Sequence, residues 1–209
     1  EEEYAPYLPK SDKWKAKYEE PEPPDTEGLP ALPVGWVWTT VNHLGQVIGG
    51  LTKNSSRSDY PIQLPYLRVA NVYADELRLD DTEEIGVRDS ELERLLLEQN
   101  DLLVVEGNGS VDQIGRVAIW DGSIEPCVHQ NHIIKVRLIR PMMGRYILAW
   151  LLSVGGREQI VKVASSTSGL YTLSLSKVSA LPVPLPPLPE QERIISEVDR
   201  LLSLTDVGS

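Results

Sequence analysis

The sequence predicts an α+β domain, with short strands in its middle, helices around them and an amphipathic helix leading away at the end. Three observations support this. Apolar runs of strand length between residues 102 and 139 are punctuated by glycines and an Asp-Gly pair. From Pro141 to about Val163, apolar residues recur at helical spacing. Leu181 to Leu185 then reads as a strand set among Pro182, Pro184, Pro186, Pro187 and Pro189, and a second helix follows it.

Taken in order, residues 1–35 are rich in proline and charge with little periodicity, which predicts an extended linker. Tyr4, Tyr7, Trp14 and Tyr18 are more than a free tail needs, so part of this linker is expected to pack on the domain. From Trp36 to Ile48 apolar residues recur loosely up to Gly49-Gly50, and Thr52 to Ser58 is a polar loop. Leu64 to Val72 reads as a strand. Asp89 to Gln99 reads as a helix, with Leu92, Leu95 and Leu96 on one face and Asp89 or Ser90 as its cap. Leu102 to Glu106 is an apolar strand stopped by Gly107-Asn108-Gly109. Gly115 to Trp120 is a second strand, and Asp121-Gly122 after it is a hairpin signal leading to a third strand, Ile133 to Ile139.

The region from Pro141 to Val163 has Met143, Tyr146, Ile147, Trp150, Leu151 and Val154 as its apolar side, and Gly155-Gly156 should kink or divide it. Ser165 to Thr172 is a hydroxyl-rich loop. Proline cannot donate to a sheet ladder, so the strand at 181–185 must lie at an edge or leave the domain. Pro189, Glu190 and Glu192 suit a helix start. Beyond them Ile194, Ile195, Val198, Leu201, Leu202 and Leu204 form a helical stripe with Arg193, Glu197 and Arg200 between them. A helix this short is marginal alone, so it is expected to pack on another helix.

With 209 residues and 41% apolar content, the chain suits one domain of ordinary size plus tails. No apolar run reaches the length of a membrane span and no signal-peptide pattern stands at Glu1-Glu2-Glu3, so no membrane contact and a cytoplasmic location are expected. A single cysteine, Cys127, rules out an internal disulfide framework. Three histidines give little material for a His/Cys metal site, and no cofactor is expected. The net charge of −11 argues at face value against nucleic acid. Its distribution does not, because residues 75–101 alone hold eleven acids against three arginines. Outside that segment and the two tails, eleven Lys and Arg face six acids. A local basic face fits this, though on the residues alone a scatter of solvated cations is the favoured reading.

The run Thr167-Ser168-Gly169-Leu170-Tyr171-Thr172-Leu173-Ser174, followed by Leu181-Pro182-Val183-Pro184-Leu185-Pro186-Pro187-Leu188-Pro189-Glu190-Gln191-Glu192-Arg193-Ile194, resembles the end of a target recognition domain in specificity subunits of type I DNA restriction-modification enzymes. Leu32-Pro33-Val34-Gly35-Trp36-Val37-Trp38 resembles the opening of such a domain. Asp101-Leu102-Leu103-Val104-Val105 with Asn108-Gly109-Ser110 and Ile114-Gly115-Arg116 resembles its central block. Trp14 to Tyr18 through Pro23 to Thr26 resembles the linker that precedes it. Each motif is weak alone, but all four stand in the family's order.

The resemblance implies a mostly β, curled, barrel-like body with peripheral helices at 36–188, a linker at 1–35, and at 189–209 the start of the family's coiled-coil spacer helix. It implies a non-catalytic subunit that reads one half of a bipartite site in double-stranded DNA. Methyltransferase subunits, and through them the restriction subunit, would be its partners. The linker-like start favours the second of the two recognition domains such a subunit carries.

Reading DNA takes paired donors and acceptors on loops that fit a groove, plus hydroxyls and cations for phosphates. Four loops have that composition. In the first, Lys53, Asn54, Ser55 and Arg57 suit phosphates, or simply a surface loop. In the second, Arg68 and Asn71 stand on opposite faces of a strand and either reach a base or lie on a solvated edge. In the third, Asn108, Gln113 and Arg116 stand among glycines that let a backbone approach closely, or form a plain hairpin turn; Glu106 is an unlikely phosphate contact but suits a cytosine amino group. The fourth joins Gln130 and Asn131, next to His132, with Ser166, Thr167 and Tyr171. The acid-rich 75–101 is expected to face away from DNA. No nucleophile elbow, phosphate loop, H-E-x-x-H, or nuclease or methyltransferase motif is present. Two rivals stay open: a protein-interaction module using the proline segment and Leu-rich helix, and a small hydrolase with a scattered site.

Overall fold

A computed structural model describes residues 23–206 apart from Ser168. The expected docking of Tyr4, Tyr7, Trp14 and Tyr18 lies outside the described residues. In chain order the strands are β1 (Val37–Thr40), β2 (Gly45–Gly49), β3 (Ile62–Leu67), β4 (Val72–Tyr73), β5 (Glu76–Leu77), β6 (Glu83–Val87), β7 (Leu102–Val105), β8 (Gly107–Asn108), β9 (Val117–Ile119), β10 (Val128–His129), β11 (Ile133–Leu138), β12 (Ser165–Thr167), β13 (Leu170–Thr172) and β14 (Pro182–Leu185). The helices are α1 (Val41–Leu44), α2 (Asp89–Leu95), α3 (Gly144–Leu152), α4 (Val154–Val163), α5 (Leu175–Ser179) and α6 (Leu188–Asp206).

The central sheet, ordered β2-β11-β7-β9, is antiparallel throughout. Its inner strands are covered on both faces, which is why they read as unbroken apolar runs. Leu102, Val104, Ile134 and Val136 pack on one face with Ile147 and Leu151 of α3. Leu103, Val105 and Ile133 pack on the other with Leu67, Trp120 and Cys127. The remaining sheets are β10-β3-β6, β12-β13-β8, β1-β14 and β4-β5. All are open, so the expected mixture of helix and strand is present while no barrel closes among the described residues.

Strand β14 pairs with β1 alone. Its prolines offer no N–H, but its carbonyls find donors: Tyr146 Oη donates to Pro184 O at 2.5 Å and Trp150 Nε1 to Pro182 O at 2.9 Å. Trp38 meets Trp150 edge to face at 5.9 Å. The expected edge strand is thus held by aromatic side chains of α3, which give its backbone the partners a second neighbouring strand would supply.

Several boundaries differ from expectation. The 64–72 strand ends at Leu67, and a 3₁₀ turn, Val69–Asn71, follows. Helix α2 stops at Leu95 rather than Gln99, because Leu97 turns into the core and Lys135 and Arg137 of β11 take the final carbonyls. Lys135 Nζ donates to Arg94 O and Leu96 O at 2.9 and 2.8 Å, which satisfies an ammonium that is wholly buried. The Asp121-Gly122 turn does not make the expected hairpin: β9 pairs with β7, and the chain goes on to β10, parallel to β3. The long helical region divides at Ser153, where Ser153 Oγ accepts from Gly156 N. A Cβ on Gly156 would stand 2.0 Å from Trp150 O, so only glycine lets α4 start against the end of α3. The 165–172 loop is a hairpin, β12-β13, turned by Gly169 at φ +79°.

Candidate nucleic-acid interface

The third and fourth loops meet in one small sheet. Strand β8 continues β7, and β13 pairs with it, Tyr171 opposite Asn108 and Thr172 opposite Gly107. Leu173 N donates to Glu106 O at 2.7 Å and Glu106 N to His132 O at 2.9 Å, so the Gln130-Asn131-His132 segment is stitched alongside. That segment is fixed from both sides. Asn131 N donates to Leu51 O at 2.8 Å, Gln130 N to Leu67 O at 2.9 Å, and Val69 N to Gln130 Oε1 at 3.2 Å. Ser166 is exposed on β12 and Thr167 occupies the neighbouring position opposite Leu170.

Between these elements lies an open cleft of about 620 Å³, lined by Val69, Glu106, His132, Ser165, Thr172 and Lys177, among others. It presents both hydrogen-bonding signs. His132 Nδ1 lies 2.9 Å from Glu106 Oε2, and Asn131 Nδ2 lies 3.3 Å from His132 Nε2. Lys177 Nζ donates to Ser165 Oγ. Nearby, Arg116 donates to Gln113 Oε1 and Val69 O, both at 3.3 Å, with its guanidinium 5.0 Å from the Tyr73 ring centroid. Sequence reasoning named Gln113, Arg116, Gln130, Asn131, Ser166 and Tyr171 on the elements around the cleft, with Asn108 and Thr167 by strand position, but none of them is among its described lining residues. It left Lys177 out, and gave Glu106 and His132 no firm role. Their signal was adjacency: His132 follows Asn131, and Lys177 belongs to the basic remainder of the chain.

The first two loops are arranged otherwise. Asn54 Oδ1 accepts from Ser56 N and Oγ and opens a 3₁₀ turn, Ser55–Asp59. Arg57 within it is internal, donating to Thr52 O and Gly86 O and forming a two-toothed pair with Glu91 at 3.0 and 3.1 Å. Asn71 is buried, and its amide serves Arg68 N, Arg78 O and Asp81 O. Neither side chain is presented to a groove. Lys53 Nζ meets Glu83 Oε2 at 2.5 Å. Arg68 meets Glu83 at 2.9 Å and Asp81 at 2.6 Å. The Lys53 hydrogen bond and the Arg68 charge hold the Glu83 carboxyl below its ordinary range, and the Asp81 hydrogen bond raises Arg68.

The acid-rich segment therefore lies beside Lys53, Arg57 and Arg68, contrary to the expectation that it faces away. The cause is strand pairing: β6 lies against β3 with Glu83 opposite Tyr66, and the Ser55–Asp59 turn sits on Gly86. Among the described residues no three His, Cys, Asp or Glu side chains gather as for a metal ion, and no helix is long and apolar enough to cross a membrane.

Residues 33–207 match the model of the type I restriction modification DNA specificity domain family. The specificity subunit of the type I restriction enzyme EcoKI from Escherichia coli K12 is 28% identical over 168 residues, covering 78% of this chain and 35% of that protein. The StySPI specificity subunit from Salmonella potsdam is 28% identical over 180 residues, covering 83% of this chain and 37% of that protein. The chain thus spans about a third of the length of these relatives. In fold it is similar to the crystal structure of the HsdS subunit from Thermoanaerobacter tengcongensis, with a TM-score of 0.63 at 16% identity over 87% of this chain and 45% of that one. The match runs from the opening motif through the central sheet and the cleft to α6, and on it the chain belongs to the type I restriction modification DNA specificity domain family.

Proposed function

We propose that this chain is a sequence-specific DNA-reading domain of a type I restriction-modification specificity subunit, choosing half of a bipartite target. The observation behind this reading is the junction of β8, β12-β13 and the Gln130–His132 segment around one open cleft. Asn131, His132 and Glu106 there offer donors and acceptors of the kind base edges need, and Lys177, Arg116 and Ser166 supply contacts for phosphates. Lys53 and Arg68 stand at its margin, while Arg57 and Asn71 serve the fold. The chain neither cuts nor methylates DNA. Helix α6 begins a coiled-coil spacer on which methyltransferase subunits dock, and through them the restriction subunit, in the cytoplasm.

The test is selection from a random double-stranded pool by the full chain at low salt, with sequencing of the bound fraction. Enrichment of one short half-site supports the reading. An unenriched pool, or binding that does not weaken with salt, removes it.

A further inference from the structure

Lys53 and Arg68, close in sequence to Leu51 and to Val69 of the cleft, are occupied by the chain's own carboxylates in pairs more exposed than Arg57–Glu91, although Asp81 O also accepts from Arg68 at 3.1 Å. Arg57 and Glu91 keep only 11% and 22% of their side-chain surface exposed, and two backbone carbonyls hold the same guanidinium. Asp81 is 89% exposed and Lys53 63%, so the Asp81–Arg68 and Lys53–Glu83 pairs each open to solvent on one side and exchange more easily than Arg57–Glu91, while Arg68–Glu83 is partly buried. The oxygens lie 2.5–2.9 Å from Lys53 Nζ and the Arg68 guanidinium, where a phosphate oxygen would sit. Lys53 lies two residues beyond the Leu51–Gln130 bridge, and Arg68 immediately precedes Val69 of the cleft.

We propose that Asp81 and Glu83 are specificity-determining residues that act as phosphate mimics, covering Lys53 and Arg68 against DNA whose bases do not fit the cleft. This rests on the DNA-reading function proposed above. A random duplex gains affinity only through phosphates, so it bears the full cost of displacing both carboxylates. A matched duplex also gains base contacts in the cleft, which do not require the carboxylates to let go. Affinity for wrong sequences is therefore suppressed more than affinity for the right one, which is discrimination by a built-in repulsive element.

The test uses the full chain, a fluorescent random-sequence duplex and the half-site from the selection above, with binding read by anisotropy over a salt series. Asp81→Asn with Glu83→Gln should raise random-duplex affinity by about tenfold and steepen the salt slope by about two, since two more phosphates are neutralised. Half-site affinity should rise less, so the ratio of the two falls. The gain should vanish when Lys53→Ala and Arg68→Ala are added. Two carboxylates removed elsewhere, Glu125→Gln with Glu192→Gln, should not reproduce it. An unchanged random-duplex affinity and slope, or an equal gain from the control pair, overturns the mask. If wild-type chain selects a sequence and the variant behaves alike, only the mask falls. If nothing is selected, the DNA-reading function falls and the mask with it.

Discussion

Arg57 and Lys177 carry the same charge and are used oppositely, because neighbours decide what a cation can reach. Arg57 is spent on Glu91 and two carbonyls, so Arg57→Ala strands a half-buried carboxylate and unties two loops. We expect a loss of roughly 3 kcal/mol in urea unfolding, with random-duplex affinity of the folded variant unchanged. His129 is the other telling residue. Its Nδ1–H donates to Ile133 O at 2.9 Å, while Nε2 is buried without a partner. Burial, reinforced by the charge of Lys135, pulls its pKa from 6.5 down to about 3. The folded chain keeps it neutral where the unfolded chain is protonated, so its contribution is fully present above the unfolded value. It is lost as pH falls from 6.5 towards about 3, by about 1.4 kcal/mol per unit. The lowered carboxylates Glu83 and Glu91 lose theirs only further down, below their ordinary range. Between about pH 6.5 and pH 5 the stability of the wild-type chain should therefore fall more steeply than that of His129→Leu, as read by urea midpoints.

Among the elements, α6 is two helices in function. Leu188, Ile194 and Ile195 pack on the main core, and Asp199 is tied to α3 by Arg145 at 2.8 Å. Past that point Leu201, Leu202 and Leu204 are about half exposed or more. The helical stripe seen in the sequence does not divide there, since periodicity reports a face and not what covers it. Ile195→Asp should lower domain stability by roughly 2 kcal/mol or more, whereas Leu202→Asp should leave circular dichroism and melting unchanged. If α6 begins the proposed spacer, Leu202→Asp in a full subunit should lower association with the proposed methyltransferase partners, measured by light scattering. An isolated domain that unfolds on Leu202→Asp would place the whole helix in the core.

At the scale of the molecule, a net charge of −11 is compatible with the proposed DNA-reading surface because charge is local. The acids do not retreat to the far side, however. They come beside Lys53 and Arg68 through β3-β6 pairing, which links residues some twenty apart. Lys177, paired only with Ser165 Oγ in the described contacts, stands inside the cleft. Lys177→Ala should weaken half-site and random duplexes by similar factors and lower the salt slope by about one. A loss confined to the half-site would instead make Lys177 a reader of bases.

Periodicity and proline chemistry made much of this chain legible from its residues alone. The buried strands at 102–105 and 133–138, the edge strand at 182–185 and the amphipathic end helix all follow from which backbone and side-chain groups can be paired or buried locally. The polar loops could be named as candidates because base and phosphate recognition needs particular side chains. Which candidate loops come together was decided only by tertiary structure. Tyr171 meets Asn108 across more than sixty residues, and Glu83 reaches Arg68 because β6 pairs with β3. Whether Arg57 faces DNA or a carboxylate depends on such long-range neighbours, and no local pattern encodes them.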